Sequence, residues 1–323
     1  MRFRYYPGLG ACLLTCLLGL TSRVAAEGAD EQLLRNHKLP TDGPGLVEFF
    51  RQRAAGAGDV DRLKSLIRQL GDDNFFIRED AARRLVALGG RCKLPLREAI
   101  TNDPDVEVRV RARECLRQID HGEGTAVIAA AVRVLARQRL EGAAGALLDY
   151  LPAAEDEMVA EQIRDALTQL TTGEARTASL LEAALKDSSG IKRAAAAVAL
   201  LRSNTPGAEP AARKLLVDPE AAVRARVALA LAARGEREAV PVLIDLLEQP
   251  PSPETRLIPE VLHRLAGDKA PSAPKESPGD ALRKYHEDWK TWWKNEGGKL
   301  ETARLQEAAK TAGQTLVLLL DEG

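Results

Sequence analysis

The chain lacks most of the features that announce a function. No charge sign dominates: 46 Lys and Arg stand against 47 Asp and Glu, for a net charge of -1. A surface for nucleic acid or anionic membrane needs clustered excess Lys and Arg, so charge argues against both. After residue 20 no apolar run approaches the roughly 20 residues that a bilayer-spanning helix needs. Strand-like alternation is absent before residue 315. There is no glycine-rich phosphate loop, no Ser–His–Asp set and no metal-ligand spacing. His37, His121, His263 and His286 are scattered along the chain. Nothing therefore points to a cofactor, a metal or a catalytic group. Cysteine is scarce too, with Cys12 and Cys16 near the start and only Cys92 and Cys115 beyond.

What the chain does have is a period of 31 residues. Leu185 leads to Leu216 and Leu247, Asp187 to Asp218, and Arg193 to Arg224. Earlier, the same step joins Asp72 to Asp103, Arg78 to Arg109, Ala81 to Ala112 and Leu85 to Leu116. A fixed period of this length marks small supersecondary units, each unable to bury its apolar face without a neighbour. The expected fold is an all-α solenoid of helix pairs that binds a macromolecule along an extended surface.

Residues 1–26 read as a secretory signal peptide. Arg2 and Arg4 form a basic start, Leu9 to Leu20 an apolar core, and Val24 and Ala26 precede a cut ahead of Glu27. Retention as an anchor is the alternative. Cys12 comes before the apolar core is complete and Thr15 is a poor fit ahead of Cys16, which argues against a lipid attachment. Loss of Arg2, Arg4 and Arg23 makes the mature chain more acidic. The expected location is the periplasm or the extracellular space.

The mature chain divides into five parts. Residues 27–58 form an N-terminal helical cap, with one helix near 31–37 and a second carrying Leu46, Phe49 and Phe50. Residues 59–266 form the solenoid. Leu63, Leu66, Ile67 and Leu70 recur at helical spacing, as do Ile77, Ala81, Leu85 and Leu88. Asp72-Asp73-Asn74 supplies an N-cap. Asp103-Pro104 and Asp218-Pro219 read as an N-cap followed by a proline in the first turn. The stretch 124–171 keeps helical patterning, at 127–135, 143–151 and 158–170, but loses the period. Residues 267–279 form a Pro-rich linker. Residues 280–311 form a Trp-rich helical cap, and 312–323 the start of a β element.

The segment Arg-Glu-Ala-Val-Pro-Val-Leu-Ile-Asp-Leu-Leu at 237–247 resembles the first helix of a HEAT repeat, with Pro241 at the usual kink. Asp-Pro-Glu-Ala-Ala-Val-Arg-Ala-Arg-Val-Ala-Leu-Ala-Leu at 218–231 resembles a HEAT second helix. Asp218 with Arg224, and Asp103 with Arg109, match the family's Asp and Arg, which implies support of the stack between repeats. More closely, "LPTDGPGLVEFF", "LIRQLGDDNFFIREDAARRLVALG" and "WKTWWKNEGGKLETARL" resemble segments of exported bacterial HEAT-repeat (armadillo-like) proteins. Longer members of that group continue into a β-rich, propeller-like region after a strand like "TLVLLLDEG". HEAT-type iron hydroxylases carry several His-Glu pairs, whereas this chain has one, His286-Glu287.

Three groups of residues stand out. Cys92 and Cys115 lie 11 and 12 residues either side of the turn at Asp103, so the two thiols of one helix hairpin face each other. A disulfide suits an exported protein, and a pair of buried free thiols is the other reading. Tyr285, Trp289, Trp292 and Trp293 share one helical face. They form either a cap closing the end of the array or an aromatic platform for a ligand. Arg78, Arg109, Arg193 and Arg224 recur at the starts of second helices, either as glue between repeats or as a ladder that reads a partner. Taken together, these features predict an exported scaffold for protein–protein interaction without catalysis. The competing expectation is an enzyme on a HEAT-like frame, a lyase or a hydroxylase, with its site not identified.

Overall fold

The structure is a computed structural model that describes residues 28–55, 60–122, 124–154, 156–250, 252–273 and 279–312. The expected signal peptide, the middle of the linker and the terminal strand lie outside these residues. Among the described residues every regular element is helical and no strand occurs. The chain divides between Leu170 and Thr171 into two compact units.

The first unit contains α1 (28–36), α2 (Gly43–Ala55), α3 (Val60–Gln69), α4 (Phe75–Leu88), α5 (Lys93–Asn102), α6 (Val106–Gly122), α7 (Thr125–Gln138), α8 (Ala143–Tyr150) and α9 (Glu157–Thr171). Helices α3 and α4 form one hairpin and α5 and α6 the next, stacked through α4 on α6 and α3 on α5. Leu66, Leu70, Leu85, Leu96, Ala112 and Ile119 fill the shared core. Each fully buried Leu contributes about 1.5–3 kcal/mol.

The N-terminal segment does more than close one end of this stack. Helix α2 packs against α4 on one side and against α7 and α8 on the other. Spatial order therefore departs from chain order, which is why the period fails at 124–171. The neighbour of α7 and α8 is an earlier helix with no repeat signature of its own.

The second unit contains α10 (Ala175–Ala184), α11 (Gly190–Arg202), α12 (Ala208–Arg213), α13 (Ala221–Ala232), α14 (Ala239–Asp245), α15 (Ile258–Ala266), α16 (Gly279–Glu296) and α17 (Thr302–Thr311). Hairpins α10–α11, α12–α13 and α14–α15 follow one another, with α11 on α13. Helix α16 then packs on α14, and α17 on α15 and α13.

One detail of the helix starts is corrected. Pro104 and Pro219 lie before their helices rather than in the first turn, since α6 opens at Val106 and α13 at Ala221. The Asp103 carboxylate accepts the Asp105 amide at 3.0 Å, and the Asp218 carboxylate accepts that of Glu220 at 2.9 Å. Each closes a turn that delays the helix. Asp105 then takes the capping role for α6, accepting the Glu107 amide at 2.8 Å. Asn74 caps α4 as expected, accepting the Phe76 amide at 2.9 Å.

Candidate functional site

The four recurring arginines fix the turns of their own hairpins. Arg78 donates through Nη1 to the carbonyls of Asp72 and Asp73 at 2.6 and 3.1 Å. Arg109 does the same to Asp103 and Pro104 at 2.7 and 3.0 Å. Arg193 takes Asp187 and Ser188 at 2.9 and 3.0 Å, and Arg224 takes Asp218 and Pro219 at 2.7 and 3.0 Å. In every case the arginine sits six residues after the first acceptor. It satisfies carbonyls that the turn leaves without a helical partner.

Bridging between neighbouring repeats is seen at Arg193, which meets Asp218 bidentately at 2.8 and 2.8 Å and Glu220 at 3.0 Å. Burial, the largest single influence, would raise the Asp218 carboxyl, but the hydrogen bonds from Arg193 and the Glu220 amide, together with the charges of Arg193 and Arg224, hold the group below its ordinary value. Gly190 belongs to the same junction, because a Cβ there would strike the Glu220 carboxylate. For Asp103 and Arg109 the hydrogen bonds stay within their own turn. In that hairpin Arg111 bridges instead, reaching Glu79 at 2.7 Å.

These rigid turns carry exposed apolar side chains at the heads of second helices. In the first unit Phe75, Phe76, Val106 and Val110 lie outside the core, with Phe76 79 % accessible, and Met158, at the head of α9, is 74 % accessible. Phe75 and Phe76 touch edge to face at 5.8 Å. Within the same unit, a pocket of about 270 Å³ opens where α2, the α4–α5 turn, α7 and the α8–α9 turn meet. Arg53, Arg91, Lys93, Thr125, Tyr150 and Asp156 are among its lining side chains.

On the second unit the aromatic face of α16 is turned inward. Trp289 is fully buried, Tyr285 and Trp292 nearly so, and Trp293 partly. Trp289 meets His263 edge to face at 5.4 Å and Trp292 at 5.4 Å. The Tyr285 hydroxyl lies 2.9 Å from His263 Nε2. Trp293 lies against Gly297, where a Cβ would meet the indole at 2.7 Å. The Gly297 carbonyl in turn accepts a hydrogen bond from Arg237.

Residues 177–263 match the family model for HEAT repeats. That stretch carries HEAT repeats. The match spans the hairpins α10–α11, α12–α13 and α14–α15, where the sequence period is most regular. No curated protein matches the chain.

The thiols of Cys92 and Cys115 lie buried in one core. The bridge considered from the sequence is not formed in the structure. Cys115 Sγ lies 3.9 Å from the Ala82 carbonyl, and burial pushes its thiol up to about 11. His286, of the single His-Glu pair, is buried between Asp245, at 3.3 Å, and Glu248. No group of three or more His, Cys, Asp or Glu suited to a metal occurs among the described residues. The side chain of His121 lies outside the described part.

Sequence reasoning missed the lock on α1. Asp30 is buried and accepts from Arg133 Nη2 at 2.6 Å and from Arg137 Nη1 at 2.7 Å, while Glu31 meets Arg137 at 3.1 Å. Burial would raise the Asp30 carboxyl, but the hydrogen bonds from Arg133 and Arg137 hold it lower. The pocket cations were missed too. Neither group follows the period, so the sequence held no signal for them. Charge pairs one repeat apart were visible in principle: Arg111 with Glu79, and Arg226 with Glu254 at 3.3 Å.

Proposed function

We propose that this protein is an exported scaffold that binds a protein partner and does no chemistry of its own. HEAT repeats commonly serve protein interaction, and no helix among the described residues is long and apolar enough to cross a membrane. The observation that carries the reading is the row of exposed apolar side chains at the heads of second helices in the first unit. Water-facing Phe and Val held on arginine-fixed turns suit a contact surface better than a solvent face. The aromatic face of α16 supports its reading as a cap for the array rather than as a ligand platform. The leader supports export to the periplasm or beyond.

Crosslinking in an envelope fraction tests the binding, comparing the native chain with Phe76→Asp and Val106→Asp. The scaffold reading expects a defined partner that both substitutions weaken while helical circular dichroism is unchanged. Capture insensitive to these substitutions would remove the apolar row from the reading. Mass spectrometry of the native protein should find the N-terminus at or close to Glu27, and an intact Met1 on a cytoplasmic protein would reject export.

A further inference from the structure

The lining of the first unit's pocket carries more basic than acidic side chains. Three lining side chains are basic, Arg53, Arg91 and Lys93, and one is acidic, Asp156. Arg53 already serves the fold, lying 3.6 Å over the Phe49 ring and donating to the Ala87 carbonyl at 3.1 Å. Arg91 donates to the Ala54 carbonyl at 3.0 Å, a neutral acceptor, and burial pushes its guanidinium down. A half-buried cation held by a carbonyl gains from an added anion. Lys93 lies beside it in sequence, 3.1 Å from Asp120. Asp156 is engaged elsewhere, accepting the Thr125 hydroxyl at 2.7 Å and the Met158 amide at 2.8 Å.

Size and lining narrow the ligand. At about 270 Å³ the pocket falls under the roughly 300–1,000 Å³ of small-molecule and cofactor sites. It suits one or two side chains of a larger molecule. Tyr150 and Val159 give it an apolar wall. Asp156 and Asp120 keep the positive surplus small, which favours a singly charged carboxylate over a phosphate dianion. We infer that the pocket takes a Glu or Asp side chain, flanked by apolar residues, from the protein partner, with Arg91 and Lys93 as its charge partners. This rests on the scaffold reading and names the chemistry of the partner segment.

Fluorescence anisotropy of the full chain with a labelled Leu-Glu-Leu-Glu-Leu peptide tests it. Binding should weaken at least tenfold when Gln replaces Glu in the peptide, and again in Arg91→Gln and Lys93→Gln, and should fall with added salt. If Arg91→Gln loses its helical circular dichroism, Lys93→Gln carries the test, since its ion pair is part-exposed. Equal binding of the Glu and Gln peptides, or unchanged binding in Lys93→Gln, overturns the proposal. So does inorganic phosphate competing better than acetate. The two readings fail separately. A native partner captured equally by the native chain and Lys93→Gln refutes the pocket and leaves the scaffold. Peptide binding that obeys these rules with no native partner supports the pocket and refutes the scaffold.

Discussion

Replacing Trp289 by Ala should unfasten the C-terminal helices of the second unit before anything else. The side chain is fully buried, with His263, Tyr285 and Trp292 around it at ring separations of 5.4, 6.1 and 5.4 Å. Truncating a buried aromatic to Ala costs about 3–5 kcal/mol, and each aromatic pair adds about 0.5–1.5 kcal/mol beyond area alone. The upper half of that range is therefore expected. Trp289→Phe separates the two contributions. The indole Nε1 is buried without a hydrogen-bond partner, and an unmet buried donor costs about 1–3 kcal/mol. Phe removes that donor and keeps one ring, so its cost should be about 1–2 kcal/mol, well below that of Ala. Because repeats stabilise only their neighbours, the loss should appear as faster hydrogen exchange at 239–266 and 279–311. It should fade toward α11 and leave the first unit, up to Leu170, unchanged. Native exchange rates at 239–266 in Trp289→Ala would refute the packing argument. A Phe variant as damaged as the Ala variant would refute the assignment of the unmet donor.

Three further outcomes follow from the geometry. Asp30→Asn should destabilise the first unit by about 1.5–3 kcal/mol at neutral pH. The native Asp30 carboxyl is held below its usual value, 3.8, so its contribution is present above that pH and lost as pH falls through the folded value. Acid denaturation should accordingly be shallower in the variant, and identical acid profiles would sink the argument. Arg224→Ala should cost about 1 kcal/mol, because it removes the nitrogen that donates to both the Asp218 and Pro219 carbonyls, and thermal melts would detect it. Cys92 and Cys115 should resist a thiol reagent in the native reduced protein and react together on unfolding, given their burial and the raised Cys115 thiol. Rapid native labelling of Cys115 would contradict its placement.

Much of the helix content was legible because periodicity reports a helix's buried face directly. The expected helices near 127–135, 143–151, 158–170 and 280–296 correspond to α7, α8, α9 and α16 within a few residues. Periodicity says nothing about which neighbour that face meets. Hence α2 read as a cap, although it packs on α7 and α8 as well as α4. The arginine positions were legible too, but their acceptors were not. Six residues of separation do not reveal that the guanidinium meets backbone carbonyls of its own turn, as well as, at Arg193, the next repeat. The pocket was invisible for a plainer reason. Arg53, Arg91 and Lys93 look like ordinary surface charges until the α2 packing brings them around one opening.

The Asp30 lock also carries a schedule. Its arginines lie 103 and 107 residues further along the chain. At about 5–20 residues made per second, the first helix waits roughly 5–20 s before its anchor exists. Helix α2 waits as well for α7 and α8. During that interval the α3–α4 and α5–α6 hairpins already have the neighbours they need, while Phe50 has yet to meet Tyr150. The earliest helices synthesised are thus among the later ones to find their place. A chaperone that recognises apolar segments would find its longest window at the N-terminal end of this protein.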